Sequence, residues 1–360
     1  MRFNQPFRML MFRVDDMQPL KWESINVPVD EYLLSEGNLE SLHVCTHACT
    51  RVHHVNFFII YSSLLFKMSK PTLVLSSGGQ RSAYIQGFVK AVGFKDWKQV
   101  FGISAGAMLG ALVVQTNEKN FQDEMNKLMN QHVEILKPHN TLGSILNMAS
   151  AFLWHVSIFK SSLKEIISLM WKDEQHDKLV VGAYNVTNGD YEMFENPDIN
   201  KVVASASIPV VFPSVRINEC DYVDGAVAHI IPIEEIKEYY EGGDVYVMVC
   251  YPTDHTTYKE SMKDNRAKLL GRVYSTIDES TWNNMNRDLD ELADYFGLSR
   301  EKVRTSGQYK IKQGTLYMFF PEEICYIDLG NKNYHLISKM QQHGMKVASR
   351  VMGINGNGKH

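Results

Sequence analysis

The chain of 360 residues is 44% hydrophobic and 22% charged, which is typical of a globular protein with a substantial core. A formal charge of −4 without a long run of Lys and Arg gives no reason to expect a nucleic-acid partner. The longest apolar run, residues 55–65, falls short of the about 18–20 residues that a membrane span needs. Five cysteines without a framework spacing favour a reducing compartment, so we expect the protein in the cytoplasm.

The first 67 residues show no clear alternation of strands and helices. We interpret residues 1–67 as a dispensable N-terminal extension, because a regular pattern begins only after them. His43, Cys45, His47 and Cys49 would share one face of a strand, where such neighbours lie about 6.5 Å apart. That spacing suits a single tetrahedral ion poorly, so no metal site is expected there.

From residue 68 onward, short apolar strands alternate with helical patterns. The pattern predicts strands at 72–76, 99–104 and 244–251, and helices at 83–92, 105–114, 120–137, 141–153, 160–172, 278–296 and 334–352. It also predicts a hairpin over 178–194, because Asn188-Gly189 lies between two β-rich runs. Strands that alternate with helices pair in parallel. Residues 68–360 are therefore predicted to form an α/β domain, with the strand at 244–251 in the centre of its sheet.

Residues 102–106 read Gly-Ile-Ser-Ala-Gly, the pattern G-x-S-x-G, between a predicted strand and a predicted helix. A direct turn from strand into helix brings backbone segments very close, so side chains at Gly102 and Gly106 would clash. The turn lifts the Ser104 hydroxyl beside a helix N-terminus, which favours developing negative charge. Ser104 is therefore a candidate nucleophile. The alternative is a helix that begins with small residues and has Ser104 as its N-cap.

A second strand-to-helix connection, Ser-Ser-Gly-Gly-Gln-Arg-Ser at 76–82, contains adjacent glycines. Its backbone N–H groups can hold a phosphate or an oxyanion, although it matches neither a Walker loop nor a G-x-G-x-x-G fingerprint. Loops that follow neighbouring parallel strands meet at one edge of the sheet. We therefore expect this loop beside Ser104, with a plain turn as the alternative.

The segment Asp224-Gly225-Ala226 supplies a carboxylate later in the chain. A serine nucleophile needs a base, and a carboxylate within hydrogen-bond reach can take the hydroxyl proton. Asp-Gly is also a frequent turn pair, so Asp224 alone is well explained by a turn. The order of glycine loop, serine and aspartate along one chain is what favours Asp224 as the base.

Together, the strand, the glycine loop with Arg81, the G-x-S-x-G turn and the late Asp-Gly-Ala resemble the patatin-like phospholipases. The segment Ala-Ser-Ala-Ser-Ile-Pro-Val-Val-Phe-Pro-Ser-Val at 204–215 is similar to one that the family carries shortly before its aspartate. Residues 181–194 resemble the strand pair upstream of it, and the resemblance is strongest over 71–251. It implies a three-layer α/β/α fold with a central, mostly parallel sheet.

The resemblance also implies a phospholipase A-type lipid acyl hydrolase that forms an acyl-enzyme through a Ser–Asp dyad, without a catalytic histidine. The residues implied are Ser104 as nucleophile, Asp224 as base, the oxyanion loop Gly78, Gly79, Gln80 and Arg81, the elbow glycines Gly102 and Gly106, and Gly225 and Ala226 after the base. No metal or organic cofactor is implied, because the nucleophile, base and donors are all protein groups. The implied substrate is a phospholipid or another acyl-ester lipid, so we expect peripheral contact with membranes.

The sequence departs from the usual pattern of the family in two places. The loop reads Ser77-Gly78-Gly79-Gln80-Arg81-Ser82, where the family usually has Gly-Gly-Gly-x-Arg-Gly. Ser77 and Ser82 must therefore have negative φ to fit the loop. His229 stands where many members carry Asn, and we interpret it as a structural residue. The alternative is contact with a headgroup or help in a proton transfer.

Three other functions stay open at this point. An α/β-hydrolase triad would take its histidine from His255, His335 or His343, which follow the serine and the aspartate in the required order. A non-catalytic binding module would keep the dyad unused. An acyltransferase would use the same residues to pass the acyl group to an alcohol instead of water.

The last predicted helix carries Lys339, Lys346 and Arg350 on one face and apolar residues on another. A basic amphipathic helix can lie on anionic lipid. We instead expect this helix to pack on the core with a solvated basic face.

Overall fold

The computed structural model describes residues 70–135, 163–164, 167–168, 171, 176–209, 212–254, 269–322 and 334–354. The predicted extension at 1–67, with its His and Cys residues, and the predicted helix at 141–153 lie outside the described residues. So does His255.

The strands are β1 (Thr72–Leu75), β2 (Gln99–Ile103), β3 (Leu179–Asn185), β4 (Asp190–Glu195), β5 (Val215–Ile217), β6 (Cys220–Asp224), β7 (Val245–Met248), β8 (Gly307–Ile311) and β9 (Gly314–Phe319). The helices are α1 (Ser82–Val92), α2 (Ala105–Gln115), α3 (Phe121–Ile135), α4 (Ile199–Ser205), α5 (Ile233–Tyr239), α6 (Leu269–Phe296) and α7 (Tyr334–Met352). Short 3₁₀ turns occupy Gly79–Arg81, Gly225–Val227 and Lys302–Arg304.

The described strands form one sheet in the order β5-β6-β3-β2-β1-β7-β9-β8, with β4 paired to β3. Its centre is parallel, through the pairs β3-β2, β2-β1, β1-β7 and β7-β9. The remaining pairs are antiparallel hairpins and an antiparallel contact between β3 and β6. The predicted α/β fold with a central parallel sheet is confirmed, as is the central position of the strand after residue 244.

Helices cover both faces of this sheet. Successive residues of a strand point to opposite faces. Val100 lies against Gly110 of α2, whereas its neighbour Phe101 packs against Tyr239 of α5, with ring centroids 6.2 Å apart. All four residues of β1 are buried, as expected for a parallel strand between two helical layers. The three-layer arrangement that the resemblance implied is therefore confirmed.

Most predicted elements lie within a few residues of the observed ones. The hairpin at 178–194 is β3 and β4, joined through Asn188 and Gly189. The helix predicted at 278–296 begins nine residues earlier, at Leu269. The hairpin of β8 and β9 was not predicted, because its two-residue loop, Lys312-Gln313, lacks the Asn-Gly or Asp-Gly signature.

The C-terminal helix α7 packs on the core as expected. Met340 and Val347 are buried, while Lys339, Lys346 and Arg350 are exposed. Arg350 pairs with Glu322 rather than standing free. Among the described helices, none has both the length and the hydropathy needed to cross a membrane.

Helices α1 and α7 approach so closely that they require glycine at the contact. A Cβ on Gly87 would lie 2.1 Å from the Gln341 carbonyl oxygen, and a Cβ on Gly344 would lie 2.3 Å from the Tyr84 carbonyl oxygen. Both obstacles are backbone atoms, which cannot move without shifting a whole helix.

We expect Gly87→Ala to lower the free energy of unfolding by about 1–3 kcal/mol, because the added methyl overpacks a tight contact. The same substitution inside an unpacked helix would instead raise it by about 0.5–1 kcal/mol. Gly110→Ala in α2 is the control, because its nearest atoms are side-chain carbons at 3.0 and 3.2 Å, and it should cost less. Urea denaturation measures both variants. A stabilising Gly87→Ala would contradict the close contact of α1 and α7.

Candidate active site

The ends of two strands meet along one edge of β3. Parallel β2 pairs its last residue, Ile103, with Gly182. Antiparallel β6 pairs its last residue, Asp224, with Ala183. Since β4 occupies the other edge of β3, β2 and β6 must share the same edge and meet end to end. Ser104 directly follows Ile103, so this register brings Ser104 and Asp224 together.

The backbone at Ser104 forms a sharp turn from β2 into α2. Ser104 has φ 58° and ψ −125°, a positive φ that is uncommon for a residue with a side chain. A Cβ on Gly102 would lie 2.6 Å from the Gly106 oxygen, and one on Gly106 would lie 2.3 Å from the Leu75 oxygen. Both glycines are therefore required by close backbone contacts, as the G-x-S-x-G pattern predicted. Ser104 occupies the N-cap position of α2, but its hydroxyl makes no capping hydrogen bond to the helix.

A second serine, Ser205 at the end of α4, holds this turn in place. Its Oγ accepts a hydrogen bond from the Ser104 N–H at 3.0 Å and donates one to the Gly182 oxygen at 2.7 Å. Ser205 is fully buried. The sequence argument missed this role, although Ser205 lies in the 204–215 segment that carried part of the resemblance.

Asp224 is buried, and its carboxyl group has few partners. Its Oδ1 accepts a hydrogen bond from the Ala226 N–H at 2.9 Å. Burial raises the pKa of the Asp224 carboxyl to about 7, although the Ser104 hydroxyl and the Ala226 N–H each favour the charged form. Among the described residues, Oδ2 has no partner at standard hydrogen-bond geometry, so the contact with Ser104 is close but not a well-formed hydrogen bond. Such contacts are often long before substrate binds.

The glycine after Asp224 is also fixed by a backbone contact. A Cβ on Gly225 would lie 2.5 Å from the Gly182 oxygen. The Gly182 oxygen thus accepts a hydrogen bond from the Ser205 hydroxyl and also lies against the backbone of Gly225, directly after the carboxylate. The Asp-Gly pair begins a 3₁₀ turn, as the alternative interpretation proposed, while the pairing of β6 with β3 places Asp224 beside Ser104.

The glycine loop after β1 lies beside the serine turn. The oxygens of Leu75 and Ser76 are the nearest atoms to a Cβ built on Gly106. The loop is anchored from two sides, because the Ser77 N–H donates to the Ile230 oxygen at 2.9 Å and the Cys250 thiol donates to the Ser77 oxygen at 2.9 Å. Only glycine fits at position 78, where a Cβ would lie 1.9 Å from the Cys250 sulfur.

The serines that replace the family's glycines fit the loop. Ser82 has φ −56°, and Ser77 is not among the described residues with positive φ. Gly79 does have a positive φ, of 50°. Within the described residues, the backbone N–H groups of Gly79 and Gln80 make no hydrogen bond, which leaves two donors available.

Arg81 supports the loop from inside the protein. It is buried, and its guanidinium lies 4.9 Å from the centroid of the Tyr251 ring. That contact is a cation–π interaction. Arg81 therefore packs under the loop and is not simply a surface charge.

Two of the described histidines, His229 and His343, have partners other than the dyad. His229 Nδ1 lies 2.9 Å from Asp288 Oδ1, in keeping with the structural role expected for it. His343 Nε2 accepts a hydrogen bond from the Glu322 N–H at 3.0 Å. These two contacts do not involve Ser104 or Asp224.

Residues 73–236 match the model of a family described as patatin-like phospholipase. This match confirms the resemblance found in the sequence. A probable lipid hydrolase, 463L, of Invertebrate iridescent virus 6 is 24% identical over 222 residues, which cover 56% of this chain and 76% of the viral protein. The crystal structure of VipD from Legionella pneumophila aligns at a TM-score of 0.38 and 15% identity, over 79% of this chain and 67% of VipD.

We expect Ser205→Ala to lower the free energy of unfolding by about 1–3 kcal/mol, because it removes the acceptor of the buried Ser104 N–H and a donor to the Gly182 oxygen. Ser207→Ala is the matched control, since the buried Ser207 hydroxyl donates to the Val203 oxygen of α4, four residues earlier, and not to the Ser104 turn. Chemical denaturation measures both. Equal losses in the two variants would show that the Ser205 bridge does not stabilise the turn.

Asp224→Asn should stabilise the protein in a pH-dependent way. The folded pKa of about 7 lies above the ordinary value of 3.8, so the stability that the protonated carboxyl contributes is lost as pH rises through 7. The amide mimics the neutral acid. The free energy of unfolding of the variant should exceed that of the wild type by at most about 4 kcal/mol at pH 8. At pH 5 this difference should be about 2–3 kcal/mol smaller.

Urea denaturation at pH 5 and pH 8 measures this gain, with Asp221→Asn as the control. Asp221 belongs to the same strand but forms an exposed ion pair with Arg216 at 3.1 Å. A gain for Asp224→Asn that does not change with pH would contradict the burial argument.

Proposed function

We propose that this protein is a lipid acyl hydrolase of the phospholipase A type, with Ser104 as nucleophile and Asp224 as base. The family match and the viral relative support lipid hydrolysis in general. The observation that carries the finer proposal is the strand register on β3. Ile103, directly before the strained Ser104, pairs with Gly182, and the buried Asp224 pairs with the next residue, Ala183.

In the proposed first step, the Asp224 carboxylate takes the proton of the Ser104 hydroxyl while Oγ attacks the ester carbonyl carbon. The resulting oxyanion accepts hydrogen bonds from the N–H groups of Gly79 and Gln80. The tetrahedral intermediate collapses, the ester C–O bond breaks, and the leaving alcohol takes the proton from Asp224. Ser104 then carries the acyl group.

In the second step, Asp224 takes a proton from water, whose oxygen attacks the acyl-enzyme. A second oxyanion forms at the same loop and collapses with release of the fatty acid, and Ser104 recovers its proton. A base is most effective when its pKa lies near the working pH. The burial that raises the pKa of Asp224 to about 7 therefore suits it to both steps without a histidine.

The substrate proposed is a phospholipid or a related acyl-ester lipid presented at a membrane surface. Such a substrate requires peripheral contact between the protein and the lipid. The catalytic steps use protein groups alone, so the proposal needs no metal or organic cofactor. A binding module with an unused dyad and an acyltransferase are the competing outcomes of the test.

We expect the wild type to release fatty acid from mixed phospholipid vesicles, and Ser104→Ala and Asp224→Asn to lose about 10⁴-fold or more of that activity. Asp221→Asn is the matched carboxylate control and should retain it. His255→Ala, His335→Ala and His343→Ala should also retain activity, whereas a triad enzyme would lose it in one of the three.

Labelling of Ser104 by a fluorophosphonate separates the remaining outcomes. No release by the wild type, and no labelling, would favour the binding module. Labelling with acyl transfer to an added alcohol in place of hydrolysis would favour the acyltransferase. Full activity in Ser104→Ala would overturn the proposed nucleophile.

A further inference from the structure

One short segment connects the two halves of the candidate site. It begins at Gly225, directly after the base, and the Ile230 oxygen at its far end accepts a hydrogen bond from the Ser77 N–H of the glycine loop at 2.9 Å. A displacement of this segment would therefore move both the turn that carries Asp224 and the loop that holds the oxyanion.

The long helix α6 holds this segment through the carboxylate of Asp288. Oδ2 accepts hydrogen bonds from the Ile230 N–H at 2.6 Å and the Ile231 N–H at 3.0 Å. Oδ1 lies 2.9 Å from His229 Nδ1. Asp288 is fully buried, so these donors replace the water that the carboxylate gives up.

Two neighbours of Asp288 on the same helix hold the carbonyl groups of the segment. Asn284 Nδ2 donates to the Val227 oxygen at 3.1 Å, and the Arg287 guanidinium donates to the Ala228 oxygen. Acceptors and donors on one helix thus fix successive peptide groups from residue 227 to residue 231. The His229 side chain is held by Asp288 on one side. Its ring also packs against Tyr191 of β4, at a centroid distance of 4.9 Å.

We propose that Asp288 is a positioning residue for the reaction, which fixes the Asp224 turn and the oxyanion loop relative to each other. This inference rests on the proposed function. It places part of the machinery in α6, which lies outside residues 73–236 that match the family model. Asp288 itself does not contact the reacting atoms.

The chemistry of the contact explains why a carboxylate is needed. An aspartate offers two acceptor oxygens to three donors of the segment, and its Oδ1 also accepts from the Arg287 guanidinium at 3.4 Å. Asparagine keeps the shape but presents an NH₂ group where one oxygen stood, so either the pair of backbone N–H groups or His229 loses its acceptor. A misplacement of about 1 Å in a site of this kind costs about 10²-fold in rate.

The test compares Asp288→Asn with Asp290→Asn on phospholipid vesicles. Asp290 lies two residues further along α6 but faces Arg300 and Arg304, at 3.2 and 2.9 Å. We expect Asp288→Asn to lower kcat about 10²-fold with KM little changed, and to slow fluorophosphonate labelling of Ser104 in parallel. Asp290→Asn should match the wild type in both measurements. Because a loss of structure alone would appear in thermal unfolding, both variants are compared at a temperature where they remain folded.

A second variant covers the case in which Asp288→Asn does not fold. Arg287 is half-exposed, so Arg287→Met should fold, and the loss of its hydrogen bond should lower kcat about threefold. Hydrogen exchange at residues 77 and 225–231 gives a readout that does not depend on activity, and it should accelerate in the Asp288 and Arg287 variants but not in Asp290→Asn.

The possible results distinguish the two proposals. Wild-type kcat in both Asp288→Asn and Arg287→Met would overturn the positioning role while leaving the hydrolase intact. If the wild type cleaves no ester, the proposed hydrolase fails and the positioning role in that reaction fails with it. For an active wild type, the exchange data give a second test of the positioning role. Unchanged exchange at residues 77 and 225–231 would overturn it, and accelerated exchange would support it.

Discussion

The candidate site depends on one step of register along β3. Gly182 pairs with the end of β2 and Ala183 with the end of β6, so the serine and the carboxylate meet without any loop having to reach across the sheet. A slip of one residue would turn Asp224 to the other face. β4 pairs with residues 180–185 along the other edge of β3, so a slip of β3 itself would break the pairing at both of its edges.

Gly182 contributes to this arrangement through two close contacts, one with Ser205 and one with Tyr191. Its oxygen accepts the Ser205 hydroxyl, while a Cβ at that position would lie 1.6 Å from the Tyr191 hydroxyl. That hydroxyl donates to the buried Glu235 at 2.6 Å, and burial raises the pKa of Glu235 to about 7. Two buried acids, together with Ser104 at a positive φ, make this region costly to fold. The presence of these costly features is in keeping with a protein that gives up some folding stability for a preorganised site.

The sequence was informative wherever the signal is local. Gly102, Gly106 and Gly78 could be predicted because they lie in turns with close contacts that favour glycine, and Ser104 because it lies between two of them in the G-x-S-x-G pattern. Ser205 could not, because it contacts Ser104 across 101 positions of sequence, and the contact of Asp288 with His229 spans 59. The first turns of α6 were missed for a different reason. They contain Gly271 and several β-branched residues, whose low helix propensity is overcome in the folded protein.

The contacts that complete the glycine loop come from beyond the residues that match the family model. The Ser76 N–H donates to the Met248 oxygen, Cys250 holds Ser77, and β1 has β7 as one of its two neighbours. A fragment that ended at residue 236 would leave β1 with an open edge, which is prone to wrong pairing, and would leave the loop without two of its anchors. The matched segment supplies the proposed reacting groups, but the strands and helices after it hold those groups in their working positions.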